Sequence, residues 1–229
     1  MSGVFLGLRE YIFLSLKELP LITSVGPLFL GLTQGNVNLI MLAIGVIFIS
    51  TTVAGLTGAL LNAPLEWLNP SGSFWRVAAS DVSPLLPDAP VAGIVKRSAQ
   101  TSVVPTYWMT MTVFFFSYLA LNAFMLLTVP ETKGMRSDPD KVENRKAQAI
   151  ICLVLIGVIG LTVCGGKIYL SGGETVLGVI IAALAGGFSA WGWFTFLRQC
   201  GMGRLEDVFG IQARILSEGA VSDTPVVCI

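Results

Sequence analysis

The chain has 229 residues, 54% of them hydrophobic and only 12% charged, with a mean hydropathy of +0.77. Soluble domains carry about 25% charged residues, so this composition excludes an ordinary water-soluble domain and describes a single membrane domain with several spans. Net charge is zero and histidine is absent. That removes any general pull toward nucleic acid, the usual general base and the commonest metal ligand.

The first eighteen residues form an amphipathic pattern. At 100° per residue Val4, Phe5, Leu8, Tyr11, Ile12, Leu16 and Leu19 share one face, and Arg9, Glu10, Lys17 and Glu18 lie on the other. A helix lying in the membrane interface follows. No charge occurs from Leu19 to Leu65. Pro20, Pro27, Gln34, Asn36 and Asn38 make the first half a poor span, so residues 1–37 read as an interfacial N-terminal segment, with 20–37 interfacial or shallowly inserted. The first full span is then 39–61; the rival count is five spans, with 19–34 crossing as well. No basic n-region with a cleavage site precedes these segments, so no signal peptide is expected.

Residues 62–104 differ in kind. Pro64, Pro70, Pro84, Pro87 and Pro90 interrupt them and predict a long proline-rich loop between spans one and two. Trp67, Phe74 and Trp75 suit the headgroup level. The second span is 105–129, with Tyr107 and Trp108 as interfacial anchors. The charged stretch Asp138–Lys146 follows, then a third span at 147–168. Ser171-Gly172-Gly173 makes a turn into a fourth span at 175–197, which pairs the last two spans as an antiparallel hairpin. Residues 198–229 are a tail. Within it Leu205, Val208, Phe209, Ile215 and Leu216 cluster on one face of a second amphipathic helix at 205–216. The expected fold is all-α: a four-helix transmembrane bundle with interfacial amphipathic helices at both ends.

Charge sets the orientation. With four spans, ten basic residues (Arg9, Lys17, Lys133, Arg136, Lys141, Arg145, Lys146, Arg198, Arg204, Arg214) share a side with both termini, against Arg76, Lys96, Arg97 and Lys167 opposite. Both termini are therefore expected in the cytoplasm.

Candidate chemistry is sparse. The spans hold no charged side chain before Lys167, which disfavours ion pumps and proton relays. Asn122 is the one strongly polar residue of the second span and reads as a helix–helix hydrogen-bonding group. Glu206 and Asp207 point about 100° apart on a helix and do not converge on a substrate. No catalytic residue, cofactor or metal site is expected, and the chain does not read as an enzyme. Small residues at helical spacing are the positive signal: Gly178, Ala182, Gly186 and Ala190 in the fourth span, Gly55 and Ala59 in the first. Such stripes let membrane helices approach closely.

Particular stretches carry a family likeness. They are Asp140-Lys-Val-Glu-Asn-Arg-Lys-Ala-Gln-Ala149, Gly201-Met-Gly-Arg-Leu-Glu-Asp-Val-Phe-Gly-Ile211, Ser73-Phe-Trp-Arg-Val-Ala-Ala-Ser-Asp-Val82, Val104-Pro-Thr-Tyr-Trp108 and Pro225-Val-Val-Cys228. Through them residues 70–229 resemble multi-span membrane proteins encoded by large double-stranded DNA viruses of algae and protists. The resemblance implies a minor capsid or internal-membrane protein of a virion, joining lipid to an icosahedral capsid; it implies no functional residue. The expected partners are membrane lipid and other membrane or capsid proteins, with no nucleic acid. Lys141, Arg145, Lys146, Leu205, Val208, Phe209 and Ile215 lie on the side expected to face the assembly. The alternative is an accessory subunit of a channel or transporter, which would need a polar path through the spans.

The cysteines Cys152, Cys164, Cys200 and Cys228 form no Cys-x-x-Cys pair and read as reduced thiols within or beside the cytoplasmic half. Mobility on a denaturing gel is therefore expected to be the same with and without reductant. A shift on reduction of the monomer band would contradict the reduced state.

Overall fold

A computed structural model describes residues 18–68, 105–128, 139–168 and 176–200, together with Val208. Among the described residues all regular structure is helical. In chain order the elements are α1 (Leu19–Gln34), α2 (Val37–Ile44), a π-helical turn (Gly45–Ser50), α3 (Thr51–Leu68), α4 (Tyr107–Thr128), α5 (Pro139–Gly166) and α6 (Val176–Cys200). The segments from α2 to α3 form one continuous rod. That rod, α4, α5 and α6 supply four stretches long and apolar enough to cross a bilayer: Val37–Leu65, Tyr107–Met125, Lys146–Gly166 and Val176–Cys200.

The centre of the molecule is α4, which packs most extensively against α6 on one side and α5 on the other. Three registers fix the directions. Gly186 of α6 faces the backbone of Thr110 and Phe114, and Phe194 meets the Tyr118 ring edge-on with centroids 5.5 Å apart, so α6 runs parallel to α4. Gly160 of α5 faces Phe116, while Val163 and Cys164 further along α5 pack at the Trp108–Met109 level, so α5 runs antiparallel. Gly45 lies beside Phe114 and Gly55 beside Tyr107, so the α2–α3 rod is antiparallel to α4 as well.

Several expectations need revision. The last two spans do run in opposite directions, but they do not pack as a hairpin: α4 lies between them. The first span starts at Val37 rather than residue 39, and its helix continues through Pro64 to Leu68, so residues 62–68 are helical and not loop. Proline removes one backbone donor, but that loss falls near the C-terminal end of a long helix, and membrane helices tolerate proline where neighbouring helices and local adjustment re-satisfy the freed groups. The Asp140–Lys146 stretch is helical too. Pro139 opens α5, a position where its missing N–H costs nothing and its fixed φ suits a helix. The helix that holds the third span therefore begins in a charged stretch and becomes apolar at Ala147. The described bounds of the others, Tyr107–Thr128 and Val176–Cys200, differ from 105–129 and 175–197 by one to three residues.

Residues 19–34 form a helix that doubles back on the rod and runs antiparallel to it. Gly35, at φ +65°, makes the reversal with its N–H bonded to the Gly31 carbonyl. The Asn36 N–H bonds the same oxygen at 2.8 Å, and the Asn36 side chain caps α2 by accepting from the Asn38 N–H at 3.0 Å. Glycine is the residue that reaches this left-handed conformation without steric cost. The two helices touch closely because position 31 is glycine: a Cβ there would lie 2.7 Å from Ile40 Cγ1 and 2.9 Å from the Ile40 nitrogen. The proposed amphipathic helices at 1–18 and 205–216, and the loop from 69 to 104, lie outside the described residues apart from Glu18 and Val208.

Glycine contacts predict a contrast in stability. A Cβ at Gly186 would meet the Thr110 carbonyl oxygen at 2.8 Å and the Phe114 nitrogen at 3.1 Å, both backbone atoms that cannot swing aside. Gly186→Ala should destabilise the detergent-solubilised protein by about 1–3 kcal/mol, as overpacking does. Gly157→Ala, with nothing within 4 Å of the added carbon, should stay within about 0.5 kcal/mol of the parent, as exposed substitutions do. Unfolding of both variants in the same detergent checks the pair.

Candidate functional site: the interior of the bundle around the central helix

Anything the bundle does chemically would have to use α4, because its side chains fill the interior. Phe114 and Tyr118 are stacked on the same face with centroids 6.4 Å apart, and Phe194 closes on Tyr118 from α6. Leu42, Val46, Met111, Ala190 and Leu197 complete this cluster. Toward the start of α4 a second cluster holds Trp108, Met109 and Ala182, with Leu19, Val163 and Val179 against it. The interior is thus occupied by large side chains in contact.

Polar groups in this interior serve the helices themselves. Thr110 Oγ1 donates to the Thr106 carbonyl at 2.9 Å, and the Thr106 hydroxyl accepts from the Met109 N–H at 3.3 Å, capping α4. Ser50 Oγ donates to the Val46 carbonyl at 2.5 Å, and Thr51 Oγ1 to the Ile47 carbonyl. On α1, Ser24 donates to Pro20 and Leu21 carbonyls at 2.6 and 3.1 Å. Hydroxyl back-bonding of this kind satisfies a buried Ser or Thr without recruiting a neighbour. Thr112 is buried as well, on α4, and Asn122 is buried beside the aromatic cluster's helix face. A continuous polar path, which a channel subunit would need, is not what these separate back-bonded hydroxyls compose.

The π-helical turn at Gly45–Ser50 has a visible cause. The Trp193 indole lies against Gly45, where a Cβ would come within 2.6 Å of two ring atoms, and its Nε1 donates to the Met41 carbonyl at 3.0 Å. A side-chain donor taking a carbonyl within the rod, together with a bulky ring wedged at a glycine, favours the wider turn. Ser50 and Thr51, immediately at its end, satisfy the Val46 and Ile47 carbonyls with their hydroxyls. This constellation links residues 152 apart in sequence. No local signal in the sequence marks it beyond the glycine itself.

Lys167, just past the end of α5, is buried, with only 4% of its surface exposed. Its Nζ lies 5.1 Å from the Trp108 ring centroid, a cation–π contact at the boundary of the second cluster. The indole face supplies the electrostatic attraction that water would otherwise supply. At the other end of the bundle Arg198, in the last turn of α6, donates to Met125 Sδ at 3.6 Å while staying exposed.

The residues singled out from the sequence divide clearly. Gly178, Ala182, Gly186 and Ala190 are all buried in α6, and Phe194 and Leu197 continue the same face. Gly55 is half-buried, 3.2 Å from the Tyr107 hydroxyl by the position of an added Cβ. Ala59 is a correction: it is exposed, and its neighbour Gly58 is the buried residue at that level of the rod. Val208 is a second correction. Expected on the assembly-facing surface, it is 8% exposed and packs against the central aromatic cluster, so the tail is tied to the bundle at that residue. Lys146 is exposed on α5, and Lys141 and Arg145 lie in the turns before it. Leu205, Phe209 and Ile215 fall outside the described residues.

The Trp193 wedge gives a coupling prediction. Gly45→Ala should destabilise the protein by about 1–3 kcal/mol through overpacking. In a Trp193→Ala background the same change should cost less than half as much, since the obstructing ring is gone. Equal costs in both backgrounds, measured by unfolding in one detergent, would show that Phe114, and not Trp193, sets the fit at Gly45.

The chain matches no family model, no curated protein and no solved structure.

Proposed function

We propose that this chain is a structural membrane protein of a large virion, holding its bundle in the internal lipid membrane and presenting its charged segment to the capsid. The observation that carries the membrane part is the apolar outer surface. Large apolar residues such as Phe48, Leu60, Leu161, Phe188 and Trp191 face outward although a separate set of large side chains already fills the interior. In water that distribution would leave far more apolar surface than soluble proteins tolerate; in lipid it is the favourable one. The virion part is supported by the resemblance carried on residues 70–229. The packing of large side chains in the described interior supports a structural role over transport.

On this reading the attachment surface is the first turns of α5. Lys141, Arg145 and Lys146 are on the helix that continues directly into the third span, and the proposal assigns Leu205, Phe209 and Ile215 of the tail to the same attachment surface. Val208 does not belong to that surface, because it seals the bundle. Removing the whole tail would therefore confuse attachment with stability, and charge reversal separates them. The triple variant Lys141→Glu, Arg145→Glu, Lys146→Glu should still insert in membrane and unfold like the parent, but its amount in purified particles should fall at least tenfold. Unchanged incorporation, quantified by mass spectrometry, would remove this segment as the attachment point.

A further inference from the structure

We infer that α1 is a fifth membrane-crossing helix, covered on its outer face by lipid acyl chains, so that the chain enters the bilayer on the side opposite to Arg198 and Lys146. The inference rests on the membrane reading above and concerns sidedness, which that reading leaves open.

The first line of argument is polarity. The side of α1 turned to the protein carries Pro20, Thr23, Ser24 and Gly31, all buried. The side turned away carries Ile22, Val25, Phe29 and Leu32, with 57%, 47%, 65% and 65% of their surfaces exposed. A helix resting in the interface would show polar groups outward along its length; here Thr23 and Ser24 are inside and bonded to their own backbone, and the exposed polar residues, Thr33 and Gln34, lie only in the last turn, where Thr33 also bonds back to its own helix. Only an apolar solvent suits the outer face. The same belt continues without a break onto Val37 and Phe48 of the neighbouring rod.

The second line is level. One boundary of the apolar slab is marked by Lys167 over Trp108, and the other by Arg198 at Met125. Leu19 packs in the Trp108 cluster, at the first boundary. The Gly35–Asn36 reversal lies at the second: Met41 is level with Trp193 through their hydrogen bond, and the four residues back to Val37 rise about 6 Å, to the level of Leu197. From Trp108 to Met125 the slab is about 26 Å thick, and the 16 residues of α1 span about 24 Å. The helix therefore reaches from one boundary to the other, with Glu18 at the Lys167 end and Gln34 to Asn38 at the Arg198 end.

Moving Arg9 and Lys17 across changes the basic balance from ten against four to eight against six. The cytoplasmic assignment of the Lys146–Arg198 end survives, because Lys133, Arg136, Lys141, Arg145 and Lys146 are concentrated between two spans, where the rule weighs most. The segment before Glu18 and the tail then meet different compartments, so a single copy can engage partners on both faces of the membrane.

The full chain, tagged at both ends with different epitopes, tests this in sealed, oriented membrane vesicles. External protease should remove one tag and leave the other intact until detergent is added. As a second readout, chains with a single cysteine at Ser2→Cys or at the natural Cys200 (the other cysteines replaced by alanine) should react with a membrane-impermeant maleimide from opposite sides. Removal or protection of both tags together, or labelling of both cysteines from one side, overturns the inference. Release of the chain from membranes by alkaline carbonate is a different result: it would sink the membrane reading itself, and this inference with it.

Discussion

The structure depends on the close approach of α6 to α4. Four small residues at intervals of four, Gly178, Ala182, Gly186 and Ala190, let the two backbones come near enough that no Cβ fits at position 186. In lipid there is no hydrophobic gain from pressing two apolar helices together, so what remains is dispersion, and dispersion falls off steeply with distance. The small residues remove the distance. Once α6 is seated, Phe194 and Leu197 on the same face are delivered to Tyr118 and the aromatic cluster, and Trp193, beside that face, is delivered to the rod. The π-helical turn follows from that delivery, since it is the Trp193 indole that lies against Gly45.

A second consequence concerns the polar groups. A tight interior excludes water, and a buried hydroxyl without a partner costs roughly 1–3 kcal/mol. The chain meets this by placing Ser and Thr on helices, where each can donate to a carbonyl three or four residues back, as Ser24, Ser50, Thr51 and Thr110 do. Those hydroxyls are then satisfied within their own helices. The cation of Lys167 is handled differently, by the face of an indole.

The charged start of α5 continues without a break into its apolar part, and Val208 packs against the bundle interior. The proposed fifth crossing adds a second exit on the opposite face.

The amino-acid sequence by itself determined the class of the molecule and the places where helices could run. Uninterrupted apolar stretches, clustered basic residues and small-residue spacing are local quantities, and they found the four long spans and the packing face of α6. They failed at Ala59, whose spacing matches a packing face although it is exposed and the neighbouring Gly58 is buried instead. They left residues 19–34 between two readings, because Pro20, Pro27 and the amides near Asn36 count against a span when each residue is weighed alone. Tertiary structure adds what local quantities lack: Gly31 and Gly35 fold the segment back on the rod, and Pro20, Thr23, Ser24 and Gly31 turn inward. Val208, Lys167 and Trp193 found their partners only in three dimensions, since each contact joins residues dozens to more than a hundred positions apart, and sequence periodicity carries no information over such separations.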